Sequence, residues 1–289
     1  MLQMHAARAE ELPRIREIWK TVFGDTDAFL DRFLKACPLE RIQVLLEEGE
    51  VQSFLALLPA TLVLPDAEPA KLDYVYALCT HPDGRGRGLG GQILNYADYF
   101  SRTRWARVIC TVPAEESLHQ GFFKRWGYRE GFTTYVTGVD TAALPGVGEA
   151  DAIAALDAAE YNRQREKLLA GLAHVAYPDA ALELQRYICH ASGGDLCRVT
   201  VDGVAGCAAV EMENGRALVR ELLIRPDLTG RALALIARAF SAAACQVRTP
   251  RPTGLAGEER VAFGMWKSLD GSPRPVLAGG GGYLGLAFD

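Results

Sequence analysis

Between Thr80 and Gly91 the chain reads THPDGRGRGLGG. Five of the last eight residues are glycine, and Arg85 and Arg87 alternate with them. Such a run is costly to order, because glycine loses more backbone freedom on folding than any other residue. In return it lets a ligand come close to the main chain. Several N–H groups converge there, and a following helix adds the positive end of its dipole. The two guanidinium groups add full charge and a planar fork suited to phosphate oxygens. The chemistry these types and spacings support is binding of a phosphate-class anion.

Three kinds of phosphate loop compete. A P-loop ends in Gly-Lys-Ser/Thr, and Gly88-Leu89-Gly90-Gly91 has no lysine. The dinucleotide fingerprint G-x-G-x-x-G matches formally over residues 86–91, but the acidic residue required about twenty positions on is missing, that distance falling on Cys110 to Val112. The third kind fits. Arg85-Gly86-Arg87-Gly88-Leu89-Gly90 resembles the R-x-x-G-x-G signature of the GNAT N-acetyltransferase superfamily. YALCTHPDGRGRGLG is similar to that family's strand, Pro-acid loop and helix, and FFKRWGY at 122–128 resembles its later helix ending before a glycine.

The resemblance implies acetyl-CoA as cosubstrate and direct attack of an amine on its thioester. Backbone groups near Leu78, Cys79 and Thr80 are then expected at the thioester and pantetheine. Amides of Arg85, Gly86, Arg87, Gly88, Leu89 and Gly90 are expected at the pyrophosphate, with Ser117 and Phe123 at the thiol end. Phe123 stands four residues before Gly127, where the family usually carries the tyrosine that protonates the leaving thiolate. Either CoA leaves with water's help or another hydroxyl serves, the candidates being Tyr74, Tyr76 and Ser117, of which Tyr76 is taken as catalytic. For the base, Asp73, Glu115 and Glu116 are candidates. So is the carboxylate of Asp289, because in multidomain aminoglycoside acetyltransferases of the enhanced-intracellular-survival type the terminal carboxylate works in the active site. The competing reading of YLGLAFD is a last sheet strand. Cys79 reads as a packed strand thiol, with no histidine partner at a known nucleophile spacing. His81 and His119 read as surface residues.

The elements that must hold this loop are legible as alternating patterns. A short strand at 3–7 and helices over 10–23 and 26–36 precede a hairpin at 41–58, with Asp25 expected to cap the second helix. A strand at 71–80 feeds the glycine loop, a helix follows at 89–102, then a strand at 107–112, a helix at 116–126 and a strand at 132–139. Helices over 152–173 and 179–191, three strands from 196 to 224 with a hairpin signal at Asn214-Gly215, a helix at 229–244 and a strand at 245–248 follow. LCTHPDGRGRGL at 78–89 aligns without a gap on LLIRPDLTGRAL at 222–233, and each lies between a strand and a helix. This is one fold used twice. The second copy replaces Arg85, Gly88 and Gly90 by Thr229, Ala232 and Ala234, so it is expected to be degenerate.

The fold class expected is therefore α+β, with two tandem GNAT-like domains, each a mostly antiparallel mixed sheet flanked by helices. The acetyl-CoA-binding domain is assigned to 1–142, a linker to 143–150 and the degenerate domain to 151–289. The bulk composition agrees with an ordinary globular chain of 289 residues, 49% hydrophobic and 23% charged. A net charge of −5 lacks the footprint of a general nucleic-acid binder. No segment reads as a signal peptide or membrane span. Seven cysteines without C-x-x-C spacing and five scattered histidines predict reduced thiols in a cytoplasmic protein and no metal site. The partner expected is a small-molecule or protein amine, with the oligomeric state open. The leading activity is an acetyl-CoA-dependent N-acetyltransferase. The alternatives are a non-catalytic acyl-CoA sensor and an aminoacyl-tRNA-dependent transferase.

Overall fold

A computed structural model describes residues 1–114 and 118–288, with the backbone alone for 118–120. The chain forms two compact units. One comprises Met1–Leu62, Glu68–Gly131 and Gly264–Gly279; the other comprises Val63–Ala67, Phe132–Phe263 and the segment from Gly280.

The first unit opens with β1 (Leu2–Ala6), α1 (Leu12–Phe23) and α2 (Asp27–Ala36). Gly24 ends α1 in the left-handed region, and the Thr26 side chain accepts from Phe29 N to start α2. The expected cap, Asp25, instead accepts from the Trp19 indole at 2.8 Å. β2 (Ile42–Glu47) pairs antiparallel with β1 and with β3 (Glu50–Leu64), through a turn that has Glu48 and Gly49 at positive φ. β4 (Ala67–Thr80) follows, then α3 (Leu89–Thr103) and β5 (Val108–Thr111), which runs parallel to β4. Residues 265–268 close this sheet by pairing antiparallel with β5. On one face Ile93, Leu94 and Ala97 of α3 pack against Leu55, Val75, Ile109 and Met265. On the other, Trp19 of α1 and Phe33 of α2 meet Phe54 and Tyr76.

The second unit repeats this order. β6 (Arg129–Asp140) and β7 (Ala152–Ala155) precede α4 (Ala158–Leu168), β8 (His174–Ala176) and α5 (Asp179–Ser192). An antiparallel set of β9 (Asp195–Val201), β10 (Val204–Glu213) and β11 (Arg216–Leu223) leads through α6 (Thr229–Phe240) to β12 (Ala244–Thr249), which is parallel to β11. Asn214 and Gly215 form the expected turn, with φ of 50° and 76°. β6 pairs antiparallel with β12. The last long strand, β13 (Glu259–Ser268), supplies the 265–268 segment of the first unit.

Each unit thus takes its closing strand from the other half of the sequence. The division expected at 1–142, 143–150 and 151–289 follows chain order; these units do not, because a strand belongs to the sheet whose edge it hydrogen-bonds. The 143–150 segment is no sparse linker either. Leu144 and Val147 pack on the core of the second unit. The helix expected over 152–173 is a strand and a shorter helix, because Asp157 accepts from Glu160 N at 2.7 Å and starts α4 there. The later helix of the first unit is a π-helical turn, Leu118–Phe123. No helix among the described residues is long and apolar enough to cross a membrane.

The Trp126 ring lies where a side chain on Gly91 would go, so α3 approaches that turn as closely as glycine permits. Gly91→Leu must expel the indole. It is expected to cost about 1–3 kcal/mol, read as a lower urea midpoint.

Candidate acyl-CoA site

β4 pairs with β5 only over Leu72–Tyr74, ending at Tyr74 opposite Cys110. Thr111 donates its hydroxyl to Val75 O at 3.1 Å, and β5 stops. Beyond this point, among the described residues, no strand flanks Tyr76–Thr80 on that edge. Within this stretch Ala77 takes a φ of 51°. In a regular strand residues two apart share a face. Here Tyr76 stacks on Phe33 of α2, with centroids 5.2 Å apart, whereas Leu78 packs on the α3 side. The left-handed residue acts as a bulge that re-aims the strand. It leaves this edge of Leu78–Thr80 without a strand partner among the described residues.

The strand ends are pinned. Ser53 donates to Cys79 O at 2.7 Å and lies 3.0 Å from the Thr80 hydroxyl, and His81 N donates to Gln52 O at 2.8 Å. Pro82–Gly84 form a short 3-10 turn, with Asp83 N donating to the His81 ring. Gly86 and Gly88 both follow at a φ of 76°, each with nothing within 4 Å of where a Cβ would stand. The space is open and the backbone conformation demands glycine. Gly88 is the N-cap of α3 and offers no side-chain cap. The first α3 amide to use the helix ladder is that of Gln92, which donates to Gly88 O at 3.2 Å. The amides of Leu89, Gly90 and Gly91 therefore lie in the first turn, where helix geometry supplies no partner. With the dipole of a fifteen-residue helix behind them they make an anion cradle.

The two arginines separate in role. Arg87 forms a two-pronged ion pair with Glu47, at 2.7 and 2.5 Å, and its hydrogen bonds hold that carboxyl below the usual carboxylate range. The guanidinium expected on phosphate is thus engaged by β2, and only the Arg87 amide remains part of the cradle. Arg85 is exposed, with Nε 3.4 Å from Thr80 O. Leu89 is buried in the core, and Thr80 lies 3.5 Å from the Cβ position of Gly90.

Of the other expected residues, Phe123 is buried edge-on to Phe122 and Tyr128. Phe122, absent from the sequence-based set, is the ring that approaches Gly90, at 3.8 Å from its Cβ position. Tyr74 is buried, and Tyr76 is half-buried in the aromatic set. Asp73 lies six residues before Cys79, at most about 20 Å away, with the left-handed Ala77 between them. It is buried against Arg41. Burial raises its pKa against the pull of Arg41. It forms a core ion pair. Ser117, Glu115, Glu116 and Asp289 lie outside the described residues, as does the side chain of His119. The segment before Asp289 is embedded in the second unit. Tyr177 donates to Leu284 O and Leu286 O at 3.2 and 2.9 Å, and Phe288 packs edge-on to its ring. Ser53, Glu47 and the bulge at Ala77 had no sequence signal beyond a lone polar residue in an apolar strand.

The echo loop of the second unit holds its own side chains in the same place. Gly230 backs onto Pro145 and Leu255. Arg231 pairs with Asp151 at 2.8 Å and with Asp202 at 2.5 Å. Ala232 and Ala234 are buried in the core. No group of histidine, cysteine and carboxylate side chains suited to a metal occurs among the described residues.

Residues 3–131 match the family model of the acetyltransferase (GNAT) domain. No curated protein matches the sequence. Among solved structures, a GCN5-related N-acetyltransferase from Kribbella flavida is similar over 93% of this chain and 72% of its own, at 15% identity and a TM-score of 0.71. A GCN5-related N-acetyltransferase from Anabaena variabilis is similar over 93% and 73%, at 12% identity and a TM-score of 0.74. A tandem GNAT protein from the clavulanic acid biosynthesis pathway is similar over 94% and 100%, at 16% identity and a TM-score of 0.56. At these identities the likeness is one of fold.

All seven cysteines are buried. Burial raises the Cys79 thiol far above its ordinary value, and the Cys37 thiol to about 12. An aromatic disulfide reagent at pH 8 is therefore expected to find no reactive thiol in the native chain and all seven after denaturation.

Proposed function

Residues 3–131 match the model of the GNAT acetyltransferase domain, and from that match we propose that the chain is an acetyl-CoA-dependent N-acetyltransferase acting on a primary amine. The observation that carries this reading is the pair of positive-φ glycines, Gly86 and Gly88, opening α3 directly after the unpaired edge of β4. The residues fit an acyl-CoA. Amides of 86–90 would hold the pyrophosphate, and the exposed Arg85 would add charge beside it. The open edge at Leu78–Thr80 takes the pantetheine amides by main-chain pairing. When bound, acyl-CoA supplies an activated thioester. The chain's part is to orient it and to move protons. Cys79 is no nucleophile, since its thiol stays protonated in its buried setting. Tyr76, on the opposite face from Leu78 because of the bulge, is assigned as proton donor to the leaving thiolate in place of the family's usual tyrosine. Phe122 lies beside the loop at Gly90, and Phe123 is buried in the core behind it. The carboxylate of Asp289 remains the proposed acceptor of the amine proton.

Acyl-CoA binds the first unit alone in this reading. Pro145, Leu255 and the Arg231–Asp151 pair occupy the corresponding end of α6, which supports a degenerate second unit. The chain is read as a soluble cytoplasmic enzyme.

Calorimetry with acetyl-CoA is expected to give one site per chain. Gly88→Glu, which sets bulk and negative charge against the pyrophosphate, abolishes it. Arg225→Glu, an exposed change on the echo loop, leaves it intact. Equal binding by both variants overturns the loop assignment. Tight binding without CoA release on a broad panel of amines favours the sensor reading instead.

Tyr76→Phe is expected to lower kcat by about 10²–10⁴ while leaving acetyl-CoA affinity unchanged. An unchanged kcat removes Tyr76 from the chemistry.

A further inference from the structure

The end of α3 carries a feature that acyl transfer does not use. The helix stops in a Schellman arrangement, with Ala106 N donating to Ser101 O at 3.0 Å and Trp105 N to Arg102 O at 3.0 Å. The left-handed position of this motif normally holds glycine. Here it is Trp105, at a φ of 67°. A bulky residue is strained there, and the strain is not offset by burial, because the indole is 80% exposed.

The surroundings are aromatic and basic. Tyr99, 63% exposed, lies further back on α3 beside Tyr96, with ring centroids 6.1 Å apart. Arg102, Arg104, Arg107 and Lys71 are all exposed. Arg104 lies over the Phe100 ring at 5.6 Å, and Arg107 N donates to Lys71 O at 2.9 Å, which brings the strand cations beside the helix end. Among the described residues none of these four cations has an ion-pair partner. Of the nearby acids, Asp98 pairs with Lys267 and also feels the charge of Arg102, and Asp270 pairs with Arg274. In a chain of net charge −5 this is a concentrated patch of the opposite sign.

We propose that the Trp105 patch, bounded by Tyr99, Arg102, Arg104, Arg107 and Lys71, docks an acidic segment of a partner protein. Trp, Tyr and Arg are the residues in which interface binding energy concentrates. The indole supplies an apolar anchor, and the four cations pair with carboxylates around it. A nucleic acid fits less well, because one indole offers a single stacking platform and the patch does not extend into a basic track. The surface belongs to the first unit and does not depend on the acyl-transfer reading.

The test uses the full chain and a fluorescein-labelled peptide of alternating glutamate and leucine, followed by anisotropy. The wild-type chain is expected to bind it, more weakly as salt rises. Trp105→Gly places the preferred residue at the cap, so it should melt at or above the wild-type temperature while losing more than about tenfold in peptide affinity. Trp105→Asn, also tolerant of this backbone, serves as a second variant. Acetyl-CoA binding should be unchanged in both. Absence of binding to the wild-type chain overturns the proposal. So does equal binding by the variants, tighter binding of an oligothymidylate of matched charge, or sedimentation showing that the patch is consumed by self-association.

Discussion

β4 stops pairing with β5 at Tyr74, and the ligand binding proposed for the first unit rests on that departure. Two parallel strands that continued side by side would satisfy each other's backbone groups and leave nothing to offer. Instead β5 ends, Thr111 seals the fork by donating to Val75 O, and Ala77 takes a left-handed conformation that turns the strand. The cost of a positive φ at alanine is met by the surrounding packing, with Tyr76 held in the aromatic set of α1 and α2 and Leu78 against α3. The exposed edge then runs directly into two further positive-φ residues and a helix N-terminus. Edge, loop and dipole are consecutive, so one extended anionic ligand can satisfy all three.

The second unit makes the same departure and then fills it. β11 pairs with β12 only as far as Val219, with Arg220 as the extra residue of a bulge against β10. On the next residue, Glu221 accepts from Arg165 at 2.9 Å and from the Tyr161 hydroxyl at 2.8 Å. All three side chains are fully buried. Gly285 of the tail lies close against Glu221 and Arg165, where a larger residue would collide. A buried ion pair of this kind is weak evidence for net stability, but removing one partner strands a charge. The tail is thus fitted to a fixed polar centre, and the same architecture that presents a ligand edge in one unit becomes self-contained in the other.

Particular residues show where sequence reasoning reached and where it stopped. The glycine loop, the Asn214-Gly215 turn, the repeat and the helix after each loop were legible because local backbone demands select residue types directly. The exchange of closing strands was not, since β6 and β13 carry no local mark of partners far away in the chain, and β13 was not read as a strand at all. Arg87 looked like a phosphate ligand, and only the register of β2 brings Glu47 to it. Asp73 looked like a base, and only the packing of Arg41 turns it into a core ion pair. Trp105 had no signal at all, because exposure is a property of what lies nearby in space.

The sequence by itself determined the glycine loop, its place between a strand and a helix, and the family resemblance of the first half. These depend on steric rules within a few neighbouring residues, where glycine at positive φ and the spacing of apolar side chains leave few alternatives. Tertiary structure alone decided which carboxylates meet the arginines, which strands close each sheet, and which edge of β4 stays open. Those outcomes depend on long-range pairing and burial, where many partners are chemically equivalent and the packed fold selects among them.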